Sequence, residues 1–280
     1  MKKLIPVISV TVLALVAAGA ASAQNFKGFY LGAYAGDSTS RSVESTTTIF
    51  AEEGYFASSS VTAVNSVGTF TLFPNGIMGG GRAGWNFRFG HIVFGPELDF
   101  GSLRLNSSGS VTAGYPDFAP TTFTINQGFK TRGLFTARAR AGAAFGPLLV
   151  YVTGGLAVTN LSYKETFTDN FADALETDTL KVDQGGWVVG GGAEFAINRR
   201  WSISGEYLYI DFRTATNTST NLTAFFEDDG EDTAVGVGGS HPHGLPLGEP
   251  GFGESFPDSV FTHSASLIER MGRFGINFHF

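Results

Sequence analysis

The sequence predicts an all-β fold, an eight-stranded antiparallel transmembrane β-barrel with long external loops. Three observations support this prediction. The last ten residues alternate polar and apolar side chains with a period of two, as a strand does. The strand-like segments are joined by connections that are short and long in turn. No second stretch of about twenty apolar residues follows the N-terminal one, so no helical membrane span is predicted there.

The N-terminus has the pattern of a secretory signal peptide. Two lysines precede an apolar stretch at residues 4–18, and the motif Ala21-Ser22-Ala23 has the small-x-small pattern of a signal-peptidase site. With cleavage after this motif, the chain divides into a signal peptide of residues 1–23 and a barrel of residues 24–280. A transmembrane anchor is the alternative, but the apolar stretch is short for one.

The composition excludes several classes of protein. There are 38 glycines, 27 phenylalanines, 15% charged residues and no cysteine. Without cysteine, a disulfide framework, a thiolate nucleophile and a thiolate metal site are excluded. The net charge is −7 and becomes −9 when the two lysines leave with the signal peptide. This acidic balance argues against nucleic-acid partners, because phosphate binding needs a cationic face.

Eight strand-like segments are predicted in order along the rest of the chain. Most are long enough to cross a bilayer as tilted strands, which takes about nine to eleven residues. The segments are residues 26–36, 76–89, 91–103, 131–145, 148–163, 184–197, 201–213 and a last strand ending at Phe280.

The connections between these segments predict the topology. Tight turns at Gly90, at Gly146-Pro147 and at residues 198–200 join the second to the third, the fourth to the fifth and the sixth to the seventh strand. The other connections are predicted as loops rich in Ser, Thr, Gly, Pro or acidic residues, at residues 37–75, 105–130, 164–183 and 214–260. In outer-membrane barrels the short turns are periplasmic and the long loops external.

The period of two also sorts the side chains into a lipid face and an inward face. Aromatic and aliphatic residues such as Trp85, Phe87 and Phe94 define the lipid face. The charges predicted on the inward face are Arg82, Arg88, Glu97, Asp99, Arg138, Arg140, Glu194, Glu206, Glu269 and Arg273. The polar face is thus expected to form the core. Buried charges must be paired, so we interpret these residues as a structural core of ion pairs. The alternative is a charged constriction in a narrow conduit.

No catalytic, cofactor-binding or metal site is predicted. The segment Gly253-Glu254-Ser255-Phe256-Pro257 is the nearest to a hydrolase nucleophile elbow, but it lacks the second glycine and the strand-turn-helix context. The motif His241-Pro242-His243 offers two metal ligands without a third at suitable spacing. The acidic run at residues 227–232 lacks the oxygen spacing of an EF-hand. Solvated loops are the favoured interpretation of both segments.

Several segments together resemble a known family, the opacity-protein-like small outer-membrane β-barrels, especially the abundant surface proteins of alphaproteobacteria that are also called porin-family proteins. The resemblance covers essentially all predicted strands. It is carried by the segments Arg138-Ala139-Arg140-Ala141-Gly142, Tyr151-Val152-Thr153-Gly154-Gly155, Gly185-Gly186-Trp187-Val188-Val189-Gly190-Gly191-Gly192-Ala193-Glu194-Phe195, Trp201-Ser202-Ile203-Ser204-Gly205-Glu206-Tyr207-Leu208-Tyr209 and Arg273-Phe274-Gly275-Ile276-Asn277-Phe278.

The resemblance implies an eight-stranded barrel in the outer membrane of a Gram-negative bacterium and carries no catalytic residue. The terminal residues Phe274, Ile276, Phe278 and Phe280 resemble the signal that the outer-membrane assembly machinery reads. We therefore expect a structural protein whose loops serve envelope integrity or surface interaction, with a porin for small solutes as the alternative. The expected partners are outer-membrane lipid, lipopolysaccharide and the assembly machinery. No cofactor is expected, and the oligomeric state stays open.

Overall fold

The computed structural model describes residues 26–225 and 253–280, so the signal-peptide prediction, the His241 and His243 motif and the acidic run lie outside the described residues. The elements in chain order are β1 (Gly28–Thr48), α1 (Ser58–Val67), β2 (Thr69–Leu72), β3 (Asn75–Phe89), β4 (Ile92–Arg104), β5 (Asn106–Gly114), β6 (Thr122–Phe145), β7 (Leu148–Asp169), β8 (Leu175–Ala196), β9 (Trp201–Ser219), β10 (Thr223–Phe225), β11 (Gly253–Ser255) and β12 (Phe261–His279).

Eight of these strands form a closed antiparallel ring. The order around it is β1, β3, β4, β6, β7, β8, β9 and β12, and β12 pairs back onto β1. Tyr30 lies opposite His279 and Thr48 opposite Phe261, so this closing pair runs along the full length of both strands. The predicted eight-stranded antiparallel barrel is confirmed. The short strands β2, β5, β10 and β11 lie outside the ring and pair with its strands or with each other.

The half of the barrel next to the three tight turns has an apolar outer face. Side chains such as Phe100, Val152 and Phe274 are between 66% and 75% exposed, on strands whose alternate residues are buried. In a soluble protein such a face would be unfavourable, whereas in a bilayer it meets lipid. We call the end with the three tight turns the short-turn end and the opposite one the long-loop end. No helix among residues 26–225 and 253–280 is long and apolar enough to cross a membrane.

The long connections differ from the prediction. Instead of irregular loops, most of residues 37–48, 106–130, 164–169 and 175–183 are strand, so the barrel continues well beyond the lipid-facing zone. The physical reason is that the period of two continues through them: Phe123, Ile125 and Phe129 are all buried, with polar residues between them. Threonine, which is frequent here, is β-branched and suits strands. The helix α1 was also not predicted.

The interior of the barrel is layered along its axis. On β12, the inward residues Asn277 and Arg273 are polar, Met271 and Leu267 are apolar with the buried Glu269 between them, His263 is polar, and Phe261 is aromatic. Strands β6, β7 and β9 contribute apolar residues at the level of Met271 and Leu267, whereas β1 contributes the serines at positions 38, 40 and 42. From the short-turn end, we define a basal layer (Phe26, Val93, Ala144, Leu149, Tyr151, Ala196), an ionic layer around Arg138, an apolar layer (including Leu134, Leu161, Leu208 and Met271), an upper polar layer around His263 and an aromatic cap (including Tyr55, Phe56, Tyr115, Phe123 and Phe167).

This layering corrects the expectation that the polar face forms the whole core. Between its two polar levels the inward face carries a broad apolar layer, which is interrupted on the side of β1 and β12 by Ser38, Ser40, Ser42 and Glu269. The physical reason is the extension of the strands: their inner side chains above the lipid zone pack against each other as in a soluble β-barrel.

A close approach at Gly84 generates the first prediction. A Cβ atom at this inward position would lie 2.2 Å from the hydroxyl of Tyr30, whereas one at the outward Gly81 would meet nothing closer than 3.7 Å. Gly84→Ala should therefore displace Tyr30 and lower the free energy of unfolding by about 1–3 kcal/mol, the range for overpacking. Gly81→Ala is the matched control and should be nearly neutral. Urea unfolding in lipid vesicles measures both, and equal effects would contradict the placement of Tyr30.

Candidate functional site

The ionic layer is centred on the guanidinium of Arg138, on β6. Its Nη1 donates to Glu206 Oε1 at 2.8 Å, and its Nη2 donates to Asp99 Oδ2 at 2.6 Å and to Glu97 Oε1. Glu97 and Asp99 lie on the neighbouring strand β4, but Glu206 lies on β9, three strands further round the ring. Arg138 therefore joins opposite walls of the barrel.

Arg273, on β12, completes this first group from another direction. Its Nε donates to Glu206 Oε2 at 2.6 Å, and its Nη2 donates to Asp99 Oδ2 at 3.0 Å. Its guanidinium carbon lies 4.4 Å from the centre of the Tyr34 ring. The side chains of both arginines and of their carboxylate partners are fully buried. Two cations and three anions thus form one network across the lumen.

A second group lies nearer the short-turn end. Arg140 Nη1 donates to Glu194 Oε2 at 3.1 Å, and its guanidinium carbon lies 4.3 Å from the Tyr30 ring centre. Glu194 Oε1 also accepts from Ser202 Oγ at 2.5 Å and lies 2.8 Å from His279 Nε2. The two groups meet at Glu97, whose Oε2 accepts from the Tyr30 hydroxyl at 2.5 Å and lies 3.6 Å from Arg140 Nη1.

The remaining predicted inward charges have different surroundings. Arg82 is 3% exposed and lies 5.3 Å from the Tyr34 ring centre, and within the described residues its guanidinium has no hydrogen-bond acceptor. Glu269 is buried above the ionic layer and accepts from Ser40 Oγ at 2.5 Å. Arg88 is only half-buried at the short-turn rim, where its Nε donates to the Gly90 carbonyl at 2.8 Å, because β3 leaves the lumen at this turn.

The ionic layer balances its own charge. The four buried arginines are Arg82, Arg138, Arg140 and Arg273, and the four carboxylates at the same level are Glu97, Asp99, Glu194 and Glu206. This balance matters because an unpaired charge in so dry an environment costs several kcal/mol. What this arrangement offers is structural: crossing ion pairs that fill the lumen at the level of the lipid.

The aromatic cap at the long-loop end is organised by Asp169. Its Oδ2 accepts from the hydroxyls of Tyr55 at 2.6 Å and Tyr115 at 2.7 Å, and its Oδ1 accepts backbone N–H groups from Phe171, Ala172 and Ala174. Burial and the nearby carboxylate raise the pKa of both tyrosines well above its usual value, so both stay neutral donors. Asp169 therefore links three connections over the mouth of the barrel.

A belt of basic side chains surrounds the barrel just beyond the lipid-facing zone. Every ring strand except β3 contributes at least one exposed lysine or arginine on its outer face. The members of this basic belt are Arg41, Arg104, Lys130, Arg132, Lys164, Lys181, Arg213 and Arg270. The overall charge of the chain is negative, so the belt is a local concentration of positive charge.

The structure does not build a hydrolase elbow around Ser255. This residue ends the short strand β11, which pairs with β10, and its side chain is exposed. Residues 257 and 258 form a turn that leads to β12 without a helix, so the strand-turn-helix context of a nucleophile elbow is missing.

The upper polar layer contains a cluster that the sequence reasoning missed. Glu165 on β7, Glu176 on β8 and His263 on β12 are all buried, and one ligand atom from each lies within 4.8 Å of the others. Both glutamates fall in a segment predicted as a loop. The alternation of side chains predicts their inward position. Every second residue counted from Tyr151, Glu194 and Arg273 points inward, and this alternation continues along the three strands as far as the cluster.

The terminal aromatic residues lie on the outer face of β12. Phe274, Ile276 and Phe280 are exposed, and Phe278 packs edge-on against Trp201 and Phe280 with ring centres 5.0 Å apart in each case. They form one seam of the lipid-facing surface where β12 meets β1.

Comparison with known proteins places the chain among outer-membrane proteins. The family described as "Outer membrane protein beta-barrel domain" matches residues 8–239. The 31 kDa outer-membrane immunogenic protein of Brucella melitensis is 36% identical over 146 residues, which cover 51% of this chain and 57% of that protein. The 25 kDa outer-membrane immunogenic protein of Brucella abortus is 26% identical over 168 residues, or 60% of this chain and 67% of that protein. The chain thus spans little more than half the length of the first of these curated relatives.

Solved structures give weaker likenesses. The outer membrane protease OmpT from Escherichia coli aligns over 91% of this chain and 98% of its own, with a TM-score of 0.41 and 9% identity. Neisserial surface protein A aligns over 91% of this chain and 98% of its own, with a TM-score of 0.31 and 12% identity.

The central position of Arg138 generates the second prediction. Arg138→Leu leaves Glu97, Asp99 and Glu206 without a shared cation and should lower the free energy of unfolding by about 3–5 kcal/mol. The adjacent Ala139 is exposed on the lipid face, so Ala139→Leu should change it by less than about 0.5 kcal/mol. Urea unfolding in lipid vesicles compares the two. A costly Ala139→Leu with a mild Arg138→Leu would mean that the strand register is shifted by one residue.

Proposed function

Since the chain belongs to the family of the outer membrane protein beta-barrel domain, we propose that it is a closed, structural barrel that presents a rigid surface outside the outer membrane. The protein lies in the outer membrane, and its curated relatives are named outer-membrane immunogenic proteins. The single observation that carries the proposal is the layered interior, in which ion pairs, an apolar layer and an aromatic cap follow one another across the lumen.

The apolar layer is the strongest argument for closure. A polar lumen lined by charges is compatible with a narrow conduit, and this favours the porin alternative. However, hydrated ions must also pass Leu134, Leu161, Leu208 and Met271, which are at most 4% exposed and pack together above the charges. Packed apolar side chains in a narrow lumen oppose conduction by excluding water. At the same level, Ser40 and Glu269 are buried and hydrogen-bonded to each other. The side chains would have to move before any solute passed.

The extension of the barrel supports a role at the surface. Six ring strands, β1, β6, β7, β8, β9 and β12, continue beyond the lipid-facing zone towards the aromatic cap, which ties α1 and the hairpin of β5 and β6 into one core. Such a platform holds its surface in a fixed shape. This lowers the entropic cost of binding a partner, because the surface is already ordered. The long-loop end is assigned to the outside, because outer-membrane barrels place their short turns in the periplasm.

The basic belt supports lipopolysaccharide as a partner of this outer half. Lipopolysaccharide carries phosphate groups at the membrane surface, and arginine binds phosphate with paired hydrogen bonds. Arg104 on β4 lies two residues beyond Ser102, and Arg132 on β6 lies next to Gly133, the residue paired with Ser102. We propose that these exposed side chains on neighbouring strands bind one anionic head group together.

Recognition by the outer-membrane assembly machinery is the remaining part of the proposal. The residues that would carry it are the outward-facing Phe274, Ile276, Phe278 and Phe280 of the closing strand. A strand that must pair last with β1 is available for contact with another protein until the ring closes.

Single-channel recording in planar bilayers tests the main proposal. A closed barrel should give no stable open level of large-porin size. A control in which Leu208→Gly and Met271→Gly remove bulk from the apolar layer should raise the frequency of current steps. A steady open level in the unmodified protein would instead establish the porin alternative.

The third prediction concerns the basic belt. The double variant Arg104→Gln and Arg132→Gln should retain several-fold less lipopolysaccharide after purification in mild detergent. The reason is that two cationic side chains that donate hydrogen bonds to phosphate are lost. The matched control is Arg199→Gln with Arg200→Gln, two exposed arginines in the tight turn at the short-turn end. Equal lipopolysaccharide content in all three proteins would argue against the belt as its binding surface.

The fourth prediction concerns assembly. Replacing Phe280 by Asp should lower the amount of folded protein in the outer membrane several-fold, because a charge replaces the last aromatic side chain of the seam. Phe145→Asp is the control, since it places the same charge at another exposed phenylalanine next to a tight turn. Outer-membrane fractions compared by heat-modifiable mobility give the measurement. The assembly role fails if both variants reach the same level.

A further inference from the structure

The upper polar layer differs from the ionic layer in its charge balance. Glu44, Glu165 and Glu176 are fully buried at this level, with His263 beside the last two. Within the described residues, every buried arginine belongs to the ionic layer and no lysine is buried. The acids of the upper polar layer therefore have no built-in cation other than the imidazole.

The cluster also has unused acceptors. Neither oxygen of Glu165 accepts a hydrogen bond within the described residues, and Glu176 Oε2 accepts none either. Glu165 has no exposed surface, so water does not compensate for the missing donors. A buried carboxylate without donors is costly and points to a cation at this place.

The positions of the three ligands suit a metal ion. His263 Nε2 lies 3.7 Å from Glu165 Oε2 and 3.6 Å from Glu176 Oε1. Four ligands placed tetrahedrally about 2.0–2.1 Å from zinc are separated from each other by about 3.3 Å. The two separations from His263 exceed this by a few tenths of an ångström, and all three ligand atoms lie within 4.8 Å of one another.

Second-sphere contacts hold these ligands in place. His263 Nδ1 lies 3.1 Å from Thr46 Oγ1, which also accepts from Gln127 Nε2 at 2.5 Å. When Nδ1–H donates to Thr46, the lone pair of the ring is on Nε2 and faces the two carboxylates. Ser219 Oγ donates to Glu176 Oε1 at 2.5 Å and lies 3.1 Å from His263 Nε2. Such contacts orient metal ligands and fix the imidazole tautomer in known sites.

We propose that Glu165, Glu176 and His263 form a binding site for one divalent transition-metal ion, with zinc as the best fit. One imidazole and two carboxylates give three protein ligands, which leaves a fourth position for water or a hydroxyl group. The site lies in the extension of the barrel, between the apolar layer and the aromatic cap, and outside the lipid-facing zone. There the metal would join β7, β8 and β12 in one coordination sphere.

We infer that the seam between β8 and β9 is the entry path for the ion. Their backbone ladder ends at the pair Gly186 and Phe212, although both strands continue towards the long-loop end. Above it they are joined mainly by side chains, such as Asn217 Nδ2, which donates to Asp178 Oδ2 at 2.7 Å. Glu176 and Ser219 face each other across this seam. Side-chain hydrogen bonds open more readily than a continuous ladder, so a metal ion reaches the cluster without unfolding the barrel.

The alternative to a bound metal ion is a proton shared by Glu165 and Glu176. Burial and the neighbouring Glu176 raise the pKa of Glu165 to about 11, so in a metal-free chain Glu165 would be neutral. Metal binding would then have to displace this proton.

The test is zinc binding by the full-length barrel, purified in detergent and treated with EDTA. The protein should bind one zinc ion per chain, and Glu165→Gln, Glu176→Gln and His263→Gln should each weaken binding at least tenfold. Glu269→Gln is the matched control, because it neutralises another buried inward glutamate outside the cluster. It should bind zinc as the unmodified chain does.

Thermal unfolding separates a lost ligand from a misfolded variant. Without zinc, Glu165→Gln should unfold at the same or a higher temperature than the unmodified chain, because the neutral amide keeps the shape of the carboxyl group and needs neither a proton nor a cation. With zinc, only the unmodified chain and Glu269→Gln should gain stability. The proposal is overturned if the unmodified chain binds no zinc, or if Glu165→Gln and His263→Gln bind it as tightly as the unmodified chain does.

Discussion

The contact on which the rest of the barrel depends is the guanidinium of Arg138 between Glu97, Asp99 and Glu206. An eight-stranded barrel is too narrow for water to solvate charges inside it. Charges there are stabilised by partners from other strands, and Arg138 and Arg273 meet theirs across the lumen. Because a slip of one residue would turn these side chains towards lipid, the ion pairs fix the register of every strand that carries one. Their contribution is specificity more than net stability, since buried pairs often add little free energy.

The same constraint explains the order of the layers. Where the outer face meets lipid, only the interior can be polar, and the charges collect there. Above the lipid zone the outer face is polar, with Arg104 and Lys130 exposed, and the interior becomes apolar at Leu134 and Phe129. Strand β6 therefore reverses its pattern as it leaves the membrane. The reversal lets one continuous sheet act as a membrane barrel in one half and as a soluble β-barrel in the other.

The sequence predicted the first half of this pattern well and the second half poorly. The eight strands and the lipid-facing aromatics followed from the period of two, because in this zone large apolar side chains alternate with small or charged ones. The segments at residues 105–130 and 164–183 were predicted as loops; the first is rich in Ser and Thr, and the second in Thr and acidic residues. Their alternation was still present at Phe123, Ile125 and Phe167, but composition was given more weight than period. The cross-lumen partners of Arg138 could not be predicted, because the shear of the barrel decides which residues face each other across it.

The two polar layers differ in the source of the cation that balances their buried carboxylates. The ionic layer is enclosed by lipid on the outside, by Leu149 and Tyr151 below and by the apolar layer above. In the closed barrel that we propose, no ion from the medium would reach this layer, so its arginines would have to be part of the chain. The upper polar layer lies beyond the lipid and next to the seam between β8 and β9, where the backbone ladder is interrupted. It can take a cation from the medium, which explains how a cluster of acids persists there without an arginine. A metal ion at Glu165, Glu176 and His263 would do for the outer half of the barrel what Arg138 does for the inner half, by tying together strands that do not all pair directly.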